Sequence, residues 1–458
     1  MQNKSYTIIE PARELPVIHE TDLCVVGGSC TGTFAALRAA RLGLRVAIVE
    51  GQNCFGGVAT NAMVNIWHSL YDTGGNNQII AGLTEEAIER LKKRKAVTVK
   101  DSRNQGHSPM YFILNTDELK IELDEMVTEG GVQPFLHTLF CAPYVKDGEL
   151  AGIIVENKDG RGVILAKMFI DASGDGDLAA RLGLETFYAN RLQPGTTCAK
   201  IARWSDVGKS QIDIKKLYNE HKKEYDLPET FIWGAALPGD IDVHMLSASR
   251  VSMDMSKASQ LTAAEMEGRR QVRAIMDMLR EYCPDADPVL VQLPSRIGVR
   301  ETRHVRCRRH LTGDELLRGM RFEDAIANGT YPSDLHHANG AGITFKYLNG
   351  TQRLSRPGLP TEESMWREPM EEDPQFYQVP YSAMLPQNCP FPNLIMAGRM
   401  IDSDEMAHAA IRVMVNMNQT GEAAGVAAYL AMNESIGFAD VDTNKLRREL
   451  KAGGSSVV

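Results

Sequence analysis

The chain has no run of 18 or more apolar residues, so nothing in it reads as a membrane-spanning helix. It also lacks a basic excess: 50 Lys and Arg stand against 59 Asp and Glu, for a net charge of −9. A broad phosphate-binding surface normally needs the opposite balance, so general nucleic-acid binding is excluded as an expectation. The eight cysteines (Cys24, Cys30, Cys54, Cys141, Cys198, Cys283, Cys307 and Cys389) include no CxxC pair. Met1 to Glu20 lacks the basic-then-apolar layout of a secretory signal. Together these features read as reduced thiols and predict a cytoplasmic protein. Internal repeats and low-complexity tracts are absent as well.

What is present is 458 residues, 43% hydrophobic and 24% charged, enough for about three domain units and a large core. Leu23 to Val26 is a short apolar run ended by Gly27-Gly28-Ser29-Cys30-Thr31-Gly32. Apolar residues then recur at helical spacing through Ala35, Ala36, Ala39, Ala40 and Leu42. Gly43 stops that helix, Arg45 to Val49 is a second buried strand, and Glu50 stands at its end. Helices are predicted from Thr84 to about Lys95 and from Thr116 to Glu129. Residues 132–170 read as a β-meander with turns at Lys146-Asp147-Gly148 and Asn157-Lys158-Asp159-Gly160. Met168 to Ala172 returns as a strand that breaks at Ser173-Gly174-Asp175-Gly176-Asp177, before a helix from Leu178 to Leu182.

The character changes after residue 190, with mixed strands, an amphipathic helix from Thr262 to Tyr282 and Pro-rich loops. The expected division is 18–189 for a nucleotide-binding domain, 190–388 for a substrate domain, 389–435 for a return segment and 436–458 for a tail.

The first turn is a G-x-S-x-x-G variant of the dinucleotide fingerprint, formed by Gly27, Ser29 and Gly32, with Glu50 beyond the second strand. Glycine allows the tight turn, the helix N-terminus offers N–H groups to a pyrophosphate, and the carboxylate accepts ribose hydroxyls. Ser29 replaces the second glycine and puts a small side chain where the backbone should approach the phosphates. The plainer alternative is a tight turn without ligand, but the complete strand-turn-helix-strand-acid context favours a dinucleotide. A second fingerprint is missing: Gly340-Ala341-Gly342 has neither the third glycine nor a flanking strand. One dinucleotide is therefore expected. Cys54 reads as a packed thiol, because its CxxxxC partner position is Ala59.

The chain resembles the FAD-dependent oxidoreductases related to glutathione-reductase and fumarate-reductase flavoproteins. The resemblance rests on Pro11 to Val17 leading into the fingerprint, Phe55-Gly56-Gly57-Val58-Ala59-Thr60, and Asp171 to Asp177. It continues through Ile297 to Arg303, Tyr331 to His336, and Ala397-Gly398-Arg399 followed by Ile411 to Met414. It implies an α/β, Rossmann-like FAD-binding domain of parallel sheet, helices and β-meander, with a mixed α+β substrate domain over the flavin face. FAD is the implied cofactor. Its ADP half would use Gly27, Gly28, Ser29, Gly32 and Glu50, and Gly56-Gly57 would lie along the flavin. Gly174 and Asp175 would sit near the cofactor crevice, while capping of the next helix is the expectation for Asp177. At Gly398-Arg399 the ribityl chain must be held differently from relatives that place Asp there. A helix beginning near Val413, with Arg412 beside it, would stabilise negative charge on the reduced flavin.

Residues 296–309 carry six arginines. The bland account is a surface making ion pairs; the sharper one, favoured for Arg300 and Arg303, is capture of an anionic substrate group. His304, Cys307 and His310 have metal-ligand types, but the flanking arginines would repel a cation, so no metal is expected. Acid-base candidates are His336, His337, Tyr381, Glu405 and His408, with His336 and His408 carried forward.

The expected function is hydride transfer between a small organic substrate and flavin N5, with the electron acceptor open. A fumarate-reductase-like enzyme acting on an unsaturated acid and a flavin-binding module for RNA modification or assembly are the alternatives.

Overall fold

The computed structural model describes residues 7–101, 109–210, 213–239, 241–337 and 342–458. Gly340, Ala341 and the first six residues of the N-terminal stretch lie outside that set. The first strand, β1 (Val17–Val26), runs into α1 (Cys30–Arg41) and then β2 (Val46–Val49), and β1 pairs in parallel with β2 from Leu23↔Val46 to Val26↔Val49. All four β2 residues are buried, as expected for a strand covered on both faces. On the other side β2 pairs in parallel with β3 (Gln133–Phe135).

Three antiparallel neighbours extend the same sheet: β4 (Leu139–Lys146), β5 (Glu149–Asn157) and β6 (Gly160–Asp171). The meander is therefore continuous with the parallel sheet. Its last strand joins the two, pairing antiparallel with β5 (Gly152↔Leu165) and parallel with β1 (Val26↔Asp171). The late segment β7 (Leu394–Met396) pairs with the end of β6, Ile395 against Ile170, and so returns the chain to the nucleotide-binding sheet.

A long helix, α2 (Met414–Glu434), lies against α1. The contact depends on missing side chains: a Cβ on Gly421 would fall 2.0 Å from the Thr31 carbonyl oxygen, and one on Gly425 would fall 2.4 Å from that of Ala35. The matching offsets make the two helices parallel. At 1.5 Å per residue, the N-terminus of α2 extends about 10 Å beyond that of α1.

The main core runs through Leu23, Ile48, Phe169 and Ile395 and continues into Val305, Leu316, Tyr377 and Met384, as well as Leu446 and Leu450 near the C-terminus. A second core gathers Ala199, Ile201, Tyr218, Leu246, Ile275 and Leu279 around the helix Ala258–Tyr282. Residues 190–388 thus contribute to the main core and to this and smaller separate ones, and the 436–458 stretch packs on the first. Among the described residues no helix is long and apolar enough to cross a membrane.

Candidate functional site

The turn after β1 is built by close approach. Gly27 has φ +104°, and a Cβ there would meet the Ala172 carbonyl oxygen at 2.4 Å; a Cβ on Gly32 would lie 1.9 Å from the Gly27 oxygen. Only glycine fits either place. Ser29 caps α1, its Oγ accepting from the Gly32 N–H at 3.4 Å. The hydroxyl thereby folds back onto its own helix, which is why a serine is compatible with this turn. Glu50 accepts from the Gly28 N–H at 2.7 Å and the Gln52 N–H at 2.8 Å. These bonds fix the carboxylate at the strand end. Gly56 (φ +103°) donates its N–H to the Gly28 carbonyl at 2.8 Å, and Gly57 packs on Ser29, so the glycine loop lies directly over the fingerprint.

Asp171, fully buried at the end of β6, accepts from the N–H groups of Leu178 and Ala179 at 3.0 and 3.1 Å and from the Ser173 hydroxyl at 2.6 Å. Burial raises its pKa to about 6. This residue, with Ser173, caps the short helix Asp177–Arg181, which corrects the assignment of that role to Asp177. Asp177 follows a left-handed N-cap at Gly176 and turns its carboxylate to Arg303 at 2.5 Å. Asp175 accepts from the Thr302 hydroxyl at 2.7 Å and Arg399 at 2.5 Å. Burial opposes its ionisation, but Arg399, Arg296 and Arg303 outweigh that cost and hold the carboxyl below its usual range. The Arg399 guanidinium covers Gly174, where a Cβ would come within 2.2 Å of it.

The six arginines divide, with Arg308 exposed. Arg296, Arg303, Arg306 and Arg309 each face a carboxylate: Asp175, Asp177, Asp402 and Glu315 respectively. The ion-pair account holds for them. Arg300 points elsewhere, with Nη1 donating to the Pro194 carbonyl and the Thr196 hydroxyl, each at 2.6 Å. Burial, with Arg412 nearby, lowers its pKa to about 10. The two arginines favoured for anion capture thus have different partners.

Around Arg300 lies a buried cluster of charged and polar side chains. Asp334 is flanked by His336 Nε2 at 3.3 Å, Arg412 Nη2 at 3.1 Å and the Tyr331 hydroxyl at 3.0 Å. Arg250 reaches the His337 carbonyl and adds its charge to that of Arg300. Burial works against ionising Asp334, yet His336, Arg412 and Arg300 hold it well below the carboxylate range. Burial lowers His336 to about 4, so it is neutral at pH 7. Among the described residues, the guanidinium groups of Arg250, Arg300 and Arg412 and the neutral His336 imidazole thus gather near the Asp334 carboxylate.

The remaining acid-base candidates fall outside this group. Tyr381 donates its hydroxyl to the Phe438 carbonyl at 2.9 Å, and His337 is bonded to the Thr344 hydroxyl at 2.8 Å. Glu405 opens the helix Glu405–Ile411. His408 is enclosed within that helix, its Nε2 3.2 Å from the Arg300 carbonyl. Cys307 faces the Val305 carbonyl and His310 pairs with Asp402, so His304, Cys307 and His310 do not converge. Cys54 is buried with Sγ 3.2 Å from the Asn61 amide oxygen. Sequence reasoning missed Arg250 and the pairing role of Asp334, because no local pattern links residue 250 to residue 334.

The model of the FAD dependent oxidoreductase family matches residues 22–450. The chain belongs to that family, and it is a flavoenzyme with FAD as cofactor. No match is found among curated proteins. Similar solved structures include a geranylgeranyl bacteriochlorophyll reductase-like protein from Thermoplasma acidophilum, 13% identical over 95% of this chain and 84% of that one, with a TM-score of 0.45. A flavoprotein/dehydrogenase from Cytophaga hutchinsonii is also 13% identical, over 94% and 83%, at 0.45. The p-nitrophenol 4-monooxygenase of Pseudomonas putida is 11% identical over 95% and 84%, at 0.44.

The residues present suit the cofactor. A helix N-terminus bounded by close-packed glycines and a pinned carboxylate form the donor set of a nucleotide diphosphate and its ribose. Among the described residues the buried guanidinium nitrogens Arg399 Nε and Arg412 Nε find no hydrogen-bond partner, and each is a donor suited to polar oxygens.

Proposed function

We propose that this flavoenzyme exchanges a hydride with a small organic anion, and that the basic pocket around Arg300 is where the anion's carboxylate or equivalent group docks. The single observation behind this reading is the cluster of Arg250, Arg300 and Arg412 with neutral His336 around one carboxylate, Asp334. Bound FAD supplies a two-electron centre that takes or gives hydride at N5.

On this reading, Gly27, Gly28, Ser29 and Gly32 present the α1 N-terminus to the pyrophosphate, and Glu50 receives ribose hydroxyls. Gly56 and Gly57 line the cofactor, as do Gly174, Asp175, Gly398 and Arg399. Val413 is the N-cap of α2, and that helix's positive end, with Arg412 beside it, would stabilise negative charge on the reduced flavin. Arg300 fixes the substrate anion by a charge-assisted bond. Arg303 acts at a distance from it, holding the Asp175–Asp177 loop. His336, close to Asp334, accepts or returns the substrate proton, as a neutral imidazole is suited to do. His408 positions the Arg300 backbone. The 190–388 segment supplies the cover over this pocket.

The test is an anaerobic screen. Purified enzyme mixed with hydroxy, amino or saturated carboxylic acids should lose its flavin absorbance with one of them, while neutral analogues leave it unchanged. Reoxidation of chemically reduced enzyme by an unsaturated acid would set the direction as a reductase. Equal bleaching by neutral and anionic substrates would overturn the anion reading.

A further inference from the structure

A second, buried cluster shares His408 with the redox reading, which gives its Glu301 and His304 no role. Glu301, His304 and His408 are 2%, 1% and 0% exposed, and one ligand-capable atom from each lies within 4.8 Å of the others. They come from two elements: Glu301 and His304 from the segment that carries Arg300, and His408 from the helix Glu405–Ile411.

The hydrogen bonds determine which ring nitrogens are left as donors of a lone pair. His304 Nδ1 faces the Ile401 carbonyl at 3.2 Å, and His408 Nε2 faces the Arg300 carbonyl at 3.2 Å. A carbonyl can only accept, so each of those nitrogens carries its proton. The other nitrogen of each neutral ring then offers a lone pair. His304 Nε2 lies 3.1 Å from Glu301 Oε1, an acceptor facing an acceptor unless a cation stands between them. A proton on His304 would satisfy that pair but would leave His408 Nδ1, which is buried without a hydrogen-bond partner among the described residues. The second Glu301 oxygen is already taken by the Gln193 N–H at 2.9 Å.

One divalent transition-metal ion answers all three atoms. Two donors about 2.1 Å from a tetrahedral zinc stand about 3.4 Å apart, close to the Glu301–His304 spacing. Imidazoles whose other nitrogen is pinned to a backbone carbonyl are the usual form of metal-bound histidine. Two nitrogens and one carboxylate oxygen form a set suited to zinc or ferrous iron. We propose that Glu301, His304 and His408 bind such an ion, which ties the Arg300 segment to the helix ahead of α2. This revises the sequence expectation of no metal, which weighed His304 against Cys307 and His310.

The holoenzyme, stripped by chelator and equilibrated with a small excess of Zn²⁺ or of Fe²⁺ under argon, should retain about one ion per chain after desalting, measured by plasma mass spectrometry. His304→Ala, His408→Ala and Glu301→Gln should each lower retention at least about tenfold while FAD content stays the same. If a variant fails to fold, the unmodified enzyme still decides: its melting temperature should rise with Zn²⁺ or Fe²⁺ and fall back with chelator. Negligible retention of both metals by the unmodified enzyme, or undiminished retention by the His304→Ala/His408→Ala double variant, would overturn the proposal.

Discussion

The fingerprint turn and the basic cluster around Arg300 are both proposed binding regions, yet they are made in opposite ways. The turn uses contiguous backbone: Gly27, Gly32 and Ser29 sit within six residues, and their role is to let main chain pass close to main chain. The cluster uses side chains from separate segments, Arg250, Arg300, Asp334, His336 and Arg412, whose charges oppose one another until they are packed around Asp334. The first region should tolerate no added volume. The second should tolerate volume and be sensitive to charge.

Gly32→Ala should have the largest effect. Its Cβ would come within 1.9 Å of the Gly27 oxygen, and shifting that backbone costs about 1–3 kcal/mol before the cofactor contact is counted. The purified variant should be close to colourless, with FAD affinity down more than about a hundredfold by fluorescence titration. Near-normal flavin content would break the contrast from the turn's side.

Arg300→Ala should keep its flavin but lose about 10³-fold in kcat/KM for an anionic substrate, because removing one member of a buried charge group costs several kcal/mol. Arg300→Lys should recover only part of this, since an ammonium cannot reproduce the guanidinium's geometry. Steady-state kinetics with the acid and its neutral amide separates charge from volume.

His336→Asn should lower kcat by about 10²-fold. In the unmodified enzyme His336, held near 4, remains an unprotonated base well below the ordinary histidine range. Activity should therefore fall only as pH drops through about 4, and that acid limb should vanish in the variant. The same depression means that the unfolded chain binds this proton more readily, so His336 makes stability fall as pH drops from 6.5 to about 4. A limb near 6.5 would remove His336 from the proposed role.

Asp177→Asn should do least. Its carboxylate is 40% exposed in its pair with Arg303, and such pairs contribute about 1 kcal/mol or less. Thermal melts should shift by a few degrees at most; a large loss of flavin would show that the loop carries more of the cofactor than its ion pair.

The β1-α1-β2 unit, the turns at Gly148 and Gly160, the return of β6 and the boundary near Val413 were legible in the sequence, because each depends on local periodicity or on a backbone conformation few residues adopt. Less was legible in the arginine run. Spacing alone showed six like charges; which four meet carboxylates, which one turns inward and which one, Arg308, stays exposed depends on loops that bring residues 175, 177, 402 and 334 alongside. Asp177 shows the same limit on a smaller scale, since its neighbour Asp171 reaches the helix N–H groups first.

By itself the sequence determined that a nucleotide's phosphates could rest on the first helix and that a family of flavoenzymes was the match, since glycine spacing and strand periodicity act within a few residues. The tertiary structure decided which histidine is neutral beside Asp334, which is enclosed with Glu301, and which arginine faces the pocket. Those outcomes depend on desolvation and on charges brought together from distant positions, and neither quantity exists until the chain has packed.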